Sequence, residues 1–480
     1  MESVIGRVAA LFIRALHGRD GAPVRRGFHQ KMGSPAFFVH SKGKSMKAIS
    51  NYLQKQPPAR IIALGFALVI LLGAAMLKLP VSIREGMAVT WVDALFTSTS
   101  AVCVTGLIAV DTADTFTPFG QAVVAGLIQV GGLGVTSIGM GLALAAGRRI
   151  NFKGRSLVRE ALNVDTFEGM VRLVRAVLFM TLCFELAGVI CSFPVFIQDF
   201  PPLHALWISI FHSIAAFNNS GFDILGGLRN MIPYHDNVWL NLVTCGLIIF
   251  GGIGFLVVLD VIKCRFRFRK FTLHTKVVLT TTAVLLAAGT VLLQLTDGIG
   301  WLAAFFHSTS ARTAGFSTMP LGELSNAGLF VLTILMFIGA SPGSTGGGIK
   351  TTTFFVLMQE VACIFSKRRP GAFHRRLPDG AMRKAATIAL LGMIVVCTGT
   401  FLLCVLEPDL TLMQLLFEDV SAFGTVGLST GITPDLLDAS KLILILTMYT
   451  GRVGAFTLLS IWVERPEPSA RYTEEAITIG

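Results

Sequence analysis

The stretch Ser100-Ala-Val-Cys-Val-Thr-Gly106-Leu recurs three more times along the chain, each copy aligned on one glycine. The other copies read Ala215-Ala-Phe-Asn-Asn-Ser-Gly221-Phe, Thr309-Ser-Ala-Arg-Thr-Ala-Gly315-Phe and Ser421-Ala-Phe-Gly-Thr-Val-Gly427-Leu. Successive glycines lie 115, 94 and 112 residues apart. A phenylalanine stands ten residues before each glycine, at Phe96, Phe211, Phe305 and Phe417. Because a recurring segment defines a repeat architecture, we interpret the chain as one unit of roughly 100 residues present four times.

Four copies of a short glycine-centred segment favour a pore on a fourfold axis. Such a pore needs inward-pointing carbonyl oxygens that replace the hydration shell of an ion, and glycine leaves the backbone free to present them. Small residues where membrane helices pack are the alternative interpretation of any single copy. Four copies, each followed by a long apolar segment, favour the pore. The candidate filter residues are Val104, Thr105, Gly106, Asn219, Ser220, Gly221, Thr313, Ala314, Gly315, Thr425, Val426 and Gly427.

The composition excludes a water-soluble globule. The 480 residues are 53% hydrophobic and 14% charged, whereas soluble domains carry about 25% charged residues. The net charge of +12 is concentrated in residues 1–60, 147–170, 263–276 and 367–384, while the intervening loops carry mostly acids. The positive-inside rule places these basic segments in the cytoplasm and the glycine motifs on the outer side. We therefore expect a multi-pass protein of the plasma membrane, the inner membrane of the cell, with both termini cytoplasmic.

The sequence gives little support for an enzyme. Gly346-Gly-Gly-Ile-Lys-Thr351 resembles a phosphate-binding loop, but Ile349 and Ser344 stand where that motif requires glycine. The chain contains no His-Glu-x-x-His zinc motif. Its eight cysteines are scattered without a Cys-x-x-Cys pair, which predicts neither a disulfide framework nor a zinc site. We expect no enzymatic activity and no covalently bound cofactor.

The hydropathy pattern repeats the same order in every unit: a span, a half-length pore helix, the glycine motif and a second span. About 20 apolar residues are needed for a helix to cross the hydrocarbon core, and the segments that lead into the motifs are too short. The expected spans are 61–76, 121–146, 171–196, 238–262, 277–295, 329–364, 385–406 and 442–463, and the expected pore helices are 89–99, 202–217, 298–310 and 412–422. This assignment predicts eight full spans.

The predicted fold is an all-α polytopic membrane protein, with four fused helix, pore-helix, filter and helix units around a pseudo-fourfold pore. The units are assigned to residues 59–146, 147–263, 264–366 and 367–464. A basic segment, 1–58, precedes them, and a tail, 465–480, follows. In the basic segment, apolar residues recur at helical spacing at Ile5, Val8, Phe12 and Leu16. They fit an interfacial helix on the inner leaflet as well as they fit a disordered basic tail.

The third unit departs from the repeat at Gly339-Ala-Ser-Pro-Gly-Ser-Thr-Gly-Gly-Gly-Ile-Lys350. Proline and several glycines cannot continue a helix, and irregular backbone at membrane depth survives only beside protein or a water-filled cavity. We expect a gating loop in the pore below the filter, the alternative being a kink packed against a neighbouring helix. The candidate gating residues are Ser341, Pro342, Gly343, Ser344, Thr345, Gly346, Gly347, Gly348 and, at the start of the next half-helix, Lys350.

Arg452 is the second departure. It lies about halfway along the last span, where the first two units have Gly132 and Gly252. A charge at that depth costs roughly 2.5 to 3.5 kcal/mol on insertion scales and usually faces a cavity or a partner. We expect a pore-facing cation that forms an electrostatic barrier and takes part in gating. Arg312, close to the third filter glycine, is expected behind the filter and paired with Asp419.

This combination resembles the Trk/Ktr/HKT superfamily of cation transporters, and most closely the membrane subunits of the Ktr type. The resemblance covers residues 59–464. It rests on four degenerate glycine filters, the glycine-rich break in the third unit and the arginine in the last span, in the order found in the family. Trk membrane subunits carry two further helices ahead of the first unit. Residues 1–58 cannot supply these helices, which favours the Ktr type.

The resemblance implies potassium uptake by a channel-like subunit, and it leaves sodium open as an activator. The four filter glycines match potassium-binding positions, and glycine at the position of Gly106 goes with potassium preference in relatives where serine goes with sodium. Residues 341–348 match the family's intramembrane gating loop, and Arg452 matches the arginine beneath the filter. The implied assembly is a homodimer on a separate cytosolic ring of nucleotide-binding regulatory subunits. The alternative is a Trk-type potassium or sodium transporter with carrier-like coupling, although carriers usually show two inverted halves.

Overall fold

The computed structural model describes residues 56–145, 156–157, 170–366, 370–378 and 380–460. Several predicted features fall outside these residues. They are most of the basic N-terminal segment with its expected interfacial helix, nearly all of the basic stretch 147–170, part of the basic stretch 367–384, and the C-terminal tail 465–480.

Each unit contains an opening helix, a pore helix and a closing pair of half-helices. The first unit has α1 (Pro58–Leu77), α2 (Trp91–Cys103), α3 (Pro118–Leu133) and α4 (Val135–Ala145), and the second has α5 (Met170–Phe196), α6 (Pro202–Phe217), α7 (Val238–Gly252) and α8 (Phe255–Lys263). The third has α9 (Leu273–Asp297), α10 (Trp301–Ser310), α11 (Asn326–Phe337) and α12 (Thr351–Ser366). The fourth unit begins with a small antiparallel hairpin of β1 (Gly371–Ala372) and β2 (Arg375–Arg376), followed by α13 (Ala381–Leu406), α14 (Leu412–Gly424), α15 (Asp438–Val453) and α16 (Ala455–Ser460).

The four opening helices are long and apolar enough to cross a membrane. They contain 20, 27, 25 and 26 residues, and each has an 18-residue window of high mean hydropathy. On α1 the leucines of one face, including Leu64, Leu68 and Leu71, are more than half exposed. Leucine on an outer surface is expected where lipid replaces water, because lipid tails are as apolar as a protein core. The protein is therefore an all-α, multi-pass membrane protein.

The closing segment is broken in every unit and not in the third alone, so the eight predicted spans are not eight continuous helices. The axes of α3 and α4 meet at 101°, and those of α7 and α8 at 95°. Gly134, Gly254 and Gly454 stand at the breaks with φ of +81°, +95° and +93°, a conformation that an α-helix of L-residues does not continue through. The described residues provide four continuous spans, or six if each bent pair is counted as one.

Two of the four pore helices, α2 and α14, begin at a reciprocal side-chain cap. In α2 the Thr90 hydroxyl accepts a hydrogen bond from the Asp93 amide while the Asp93 carboxylate accepts one from the Thr90 amide, and Thr411 and Gln414 form the same reciprocal cap at α14. Such a cap satisfies N–H groups that have no partner inside the helix. It fixes where these two helices start and therefore where their far ends meet the glycine motif.

One small-residue contact joins the opening helix to the pore helix in all four units. A Cβ added at Gly73 would lie only 2.4 Å from Ser98 Oγ, so the two helices approach closely there. The equivalent pairs are Gly188 with Ser213, Gly289 with Ser308, and Gly399 with Asp419. The three serine hydroxyls donate to opening-helix carbonyls, namely those of Ile70, Glu185 and Leu286, at 2.6, 2.6 and 2.9 Å. The sequence repeat is therefore a repeat in three dimensions.

The third unit is one residue shorter than the others between pore helix and filter. Ser308 stands seven residues before Gly315, whereas Ser98 stands eight before Gly106. Phe306 is fully buried, as are Phe96, Phe211 and Phe417, while Phe305 is only partly buried. The expectation that Phe305 is the equivalent phenylalanine is therefore wrong. The deletion shifts the helix by one residue, which brings Phe306 into the packed position.

Candidate ion pore

The four glycine motifs meet in a closed ring. A Cβ added at Gly106 would lie 2.3 Å from the carbonyl oxygen of Ser220, too close for any side chain. The same holds for Gly221 against the Ala314 oxygen at 2.7 Å, Gly315 against the Val426 oxygen at 2.4 Å, and Gly427 against the Thr105 oxygen at 2.1 Å. Each unit therefore contacts the next through its glycine, and the fourth unit returns to the first.

All four motifs share an unusual backbone. The filter glycines have φ of +99°, +66°, +76° and +94°, in chain order. The residues two positions earlier, Val104, Asn219, Thr313 and Thr425, also have positive φ, at 58°, 59°, 76° and 51°. A left-handed residue cannot continue an α-helix, so each pore helix has ended by this position and the chain leaves it in another direction. Because branched residues rarely adopt positive φ, three of these positions mark a constrained backbone of the kind found at functional sites.

The filter amides turn back toward their own pore helices. The amide groups of Thr105, Ser220, Ala314 and Val426 donate to pore-helix carbonyls at 2.8 to 2.9 Å. The glycine amide of the motif also donates to a serine hydroxyl in two units. Gly106 donates to Ser100 Oγ and Gly427 donates to Ser421 Oγ, both at 3.0 Å. The carbonyl oxygens of Thr105, Ser220, Ala314 and Val426 accept no hydrogen bond from any described residue. Four unpaired carbonyls therefore stand at the ring.

The glycine-rich segment of the third unit, 341–348, lies directly beside the filter residues. The amide of Gly347 donates to Thr425 Oγ1 at 2.9 Å, and a Cβ added at Gly346 would lie 2.0 Å from Thr313 Oγ1. The amides of Ser341 and Thr345 donate to the carbonyls of the α7 end at 3.0 and 3.3 Å. These contacts join the loop to the third and fourth glycine motifs and to the end of α7 in the second unit.

Two cations bind the same loop. Arg452 Nη1 donates to the carbonyl of Thr345, and its Nη2 donates to the Gly131 carbonyl at 2.5 Å. Lys350 Nζ donates to the carbonyls of Gly346 and Gly347 at 2.7 and 3.2 Å. A charged donor makes roughly twice as strong a hydrogen bond as a neutral one, so these contacts stabilise the loop in the observed position.

A cavity of about 340 Å³ opens beneath the loop. Its wall includes loop residues, Phe255 of α8, Phe423 of α14 and three cations, Lys350, Lys384 and Arg452. No carboxylate is among the described residues that line it. Arg452 thus lines a cavity whose wall carries positive charge.

Two polar relationships differ from the sequence expectation or were missed. No ion pair forms between Arg312 and Asp419 among the described residues, because Asp419 faces its own opening helix and accepts from Thr400 Oγ1 at 3.2 Å. The buried ion pair that does form joins Lys441 Nζ of α15 to Asp93 Oδ1 of α2 at 3.1 Å. These partners are 348 residues apart, so no spacing in the sequence could indicate that they pair.

Comparison with known proteins identifies the family. The cation transport protein (TrkH) family matches residues 68–299 and 276–473. The potassium/sodium uptake protein NtpJ of Enterococcus hirae is 38% identical, with 88% of this chain and 97% of that protein covered. The Ktr system potassium uptake protein B is 37% identical in Bacillus subtilis, over 88% of this chain and 97% of that one, and 36% identical in Vibrio alginolyticus, over 94% and 99%.

A solved structure has the same fold. The crystal structure of the potassium transporter TrkH from Vibrio parahaemolyticus superposes with a TM-score of 0.67 at 19% identity, covering 85% of this chain and 84% of that chain. This structural similarity and the sequence relatives confirm the resemblance to the Trk and Ktr transporters. The chain belongs to the TrkH family of cation transport proteins.

Proposed function

We propose that this protein carries potassium into the cell across the plasma membrane, as the channel-like ion-translocating subunit of a Ktr-type system. The observation that carries the proposal is the ring of carbonyl oxygens of Thr105, Ser220, Ala314 and Val426, which accept no hydrogen bond from the described residues. Buried carbonyls are nearly always paired, and a dehydrated cation is the partner that converging carbonyls suit. The names of the relatives support potassium as that cation.

The loop 341–348 is the gate in this proposal. It lies against filter residues Thr313 and Thr425, and Arg452 and Lys350 bind its carbonyls. Positive charge in a confined cavity of low dielectric opposes the passage of a cation. The described arrangement is therefore a closed state, and conduction requires a second arrangement in which the loop leaves the pore axis.

The proposed assembly is a homodimer, with one pore per protomer, on a cytosolic ring of nucleotide-binding subunits. The names of the Ktr relatives support a multi-component system. A regulator on the cytoplasmic side would act through α11 and α12, the half-helices that flank the loop. Both termini are then cytoplasmic, and sodium is an activator or a second transported ion.

Uptake measured in cells without potassium systems of their own tests this function. We expect the chain to restore potassium uptake in preference to sodium, and co-expression of a Ktr ring subunit to increase the rate. Uptake of sodium alone would contradict the assignment of potassium. A flux that saturates, with no current beyond a fixed coupling ratio, would favour the carrier-like alternative.

A further inference from the structure

One position on the pore helix is occupied by threonine in the first unit, by histidine in the second and third, and by glutamate in the fourth. It is the residue immediately before the serine or aspartate that contacts the opening helix. The four residues at this position are Thr97, His212, His307 and Glu418. All are buried, so the differences between them act within the protein and not at its surface.

Glu418 holds the chain that leaves the fourth filter segment. Its Oε1 accepts from Ser429 Oγ at 2.6 Å, from the Thr430 amide at 2.9 Å and from Thr430 Oγ1 at 3.3 Å. Its Oε2 accepts from Thr433 Oγ1 at 2.9 Å. The side chain is 0% exposed. One carboxylate therefore binds three residues of the outer segment, the first of which lies only two positions after Gly427.

His307 makes the corresponding contacts in the third unit. Its Nδ1 lies 2.8 Å from the Ala303 carbonyl, which can only accept, so Nδ1 carries the proton and Nε2 is the acceptor. The amide of Thr318 donates to that Nε2 at 3.4 Å, and Ser317 Oγ lies 3.2 Å from it. Ser317 and Thr318 follow Gly315 at the same spacing as Ser429 and Thr430 follow Gly427.

The first two units lack this anchor. In the first unit Thr97 Oγ1 has no hydrogen-bond partner within the described residues. In the second, His212 Nε2 binds Thr244 Oγ1 of the closing helix α7 at 2.9 Å. In the third and fourth units, therefore, the residue at this pore-helix position is hydrogen-bonded to the chain that follows the filter glycine. Glu418 makes more of these hydrogen bonds than His307.

We propose that Glu418 is a positioning residue for ion selectivity, which fixes the outer end of the fourth filter segment so that the carbonyl of Val426 keeps its place in the ring. The inference rests on the proposed function of potassium uptake through this ring. Selectivity depends on how many carbonyls surround the ion and how closely they approach it. A segment that is anchored at its outer end resists the inward movement that a smaller sodium ion requires.

The geometry requires an acceptor at this position. Four hydrogen bonds converge on one carboxylate, and bonds to charged groups are stronger than neutral ones. Replacement by alanine leaves buried hydroxyl groups and an amide without their acceptor. Glutamine keeps the shape and one acceptor oxygen for Ser429 and Thr430, and hydroxyl groups can rotate to accept from its amide nitrogen. Glutamine should therefore preserve most of the anchoring.

The experiment compares Glu418→Ala, Glu418→Gln and Thr97→Ala in the full-length chain, in cells without their own potassium uptake. The readout is the ratio of potassium to sodium uptake, normalised to the amount of protein in the membrane. Thr97→Ala is the matched control, because it truncates the equivalent residue in a unit where the hydroxyl has no partner. For Glu418→Ala we expect a roughly tenfold lower ratio through increased sodium uptake, because the fourth filter segment loses its charged acceptor; tenfold corresponds to about 1.4 kcal/mol.

We expect Glu418→Gln to restore a ratio close to wild type and Thr97→Ala to leave it unchanged. A wild-type ratio in a Glu418→Ala protein that reaches the membrane would overturn the inference. If alanine prevents folding, Glu418→Asp decides, because its shorter carboxylate cannot span both Ser429 and Thr433: a lowered ratio supports the inference and an unchanged one overturns it. A wild-type protein without potassium uptake would instead refute the proposed function itself.

Discussion

Arg452, in the last unit, donates a hydrogen bond to the backbone carbonyl of Thr345, in the glycine-rich loop 341–348 of the third unit. The same guanidinium donates to Gly131 of the first unit at 2.5 Å. Arginine can do this because its planar fork presents several donors in fixed directions. Arg452, which the sequence predicts to be an electrostatic barrier, therefore links the loop of the third unit to the first and fourth units.

Arg452→Gln separates these two roles when it is compared with Lys384→Gln. Both substitutions remove one positive charge from the cavity wall, but only Arg452 is hydrogen-bonded to the loop. One charge-assisted hydrogen bond contributes about 2 kcal/mol, which corresponds to a factor of about 30 in the ratio of closed to open protein. We expect Arg452→Gln to raise potassium uptake well above the level of Lys384→Gln. Equal increases would show that charge alone matters, and lower uptake by folded Arg452→Gln would indicate a purely structural arginine.

Gly106→Ser should weaken discrimination against sodium. Gly106 has φ of +99°, and a Cβ there would lie 2.3 Å from the Ser220 carbonyl oxygen, so the neighbouring filter segment must move. Gly86→Ser is the matched control, because Gly86 has φ of +84° with nothing within 4 Å of an added Cβ. Both substitutions carry a backbone cost of about 1 kcal/mol. Only Gly106→Ser should lower the ratio of potassium to sodium uptake, and an unchanged ratio would place the filter elsewhere.

Removal of several residues between Ser341 and Gly348 should give high uptake that no longer depends on a regulatory partner. The shortened segment cannot reach both Thr425 and the end of α7, which the loop now contacts. Potassium uptake measured with and without the ring subunit, at matched protein levels in the membrane, checks this expectation. If the shortened protein folds and still needs its partner for full activity, the gate lies in the flanking half-helices.

Asp419→Ser should stabilise the protein. Asp419 occupies the place of Ser98, Ser213 and Ser308, yet its Oδ1 has no hydrogen-bond partner among the described residues. A serine hydroxyl could instead donate to the opening helix, as it does in the other units. An unsatisfied buried group costs about 1 to 3 kcal/mol, so the apparent melting temperature of the purified protein should rise. The reverse change, Ser98→Asp, should lower it, and a fall with Asp419→Ser would mean that the carboxylate is needed there.

The sequence predicted two of the four pore helices closely, whereas 89–99 and 298–310 differ from α2 and α10 by two to four residues at an end. The predicted 202–217 coincides with α6, and 412–422 differs from α14 by two residues at one end. Thr411 and Gln414 mark a helix start that can be recognised without tertiary contacts. The one-residue deletion before Gly315 was missed because Phe305 and Phe306 are both phenylalanine, and only burial distinguishes them.

The breaks in the closing segments of the first, second and fourth units were not predicted, because hydropathy reports composition and not the direction of the backbone. Gly134 and Gly254 lie inside long apolar stretches, and both end a Gly-Gly-x-Gly pattern that has Gly454 as its counterpart after Arg452. That recurrence was a usable signal. The Asp93–Lys441 ion pair was beyond sequence reasoning, since it depends on how the first and last units meet.

The order of contacts around the filter also has a consequence for biosynthesis. Gly427 packs against Thr105, and Lys441 binds Asp93, so the first quarter of the chain finds its final partners only in the last quarter. During translation the first three units therefore enter the bilayer before the fourth unit is made. Until then the ring of glycine motifs is incomplete and the Asp93 carboxylate has no Lys441 to pair with. A chain that stalls before the fourth unit would expose polar groups of the first and third units to lipid, where each unsatisfied backbone group costs several kcal/mol. Such incomplete chains should be preferred substrates for membrane quality-control proteases.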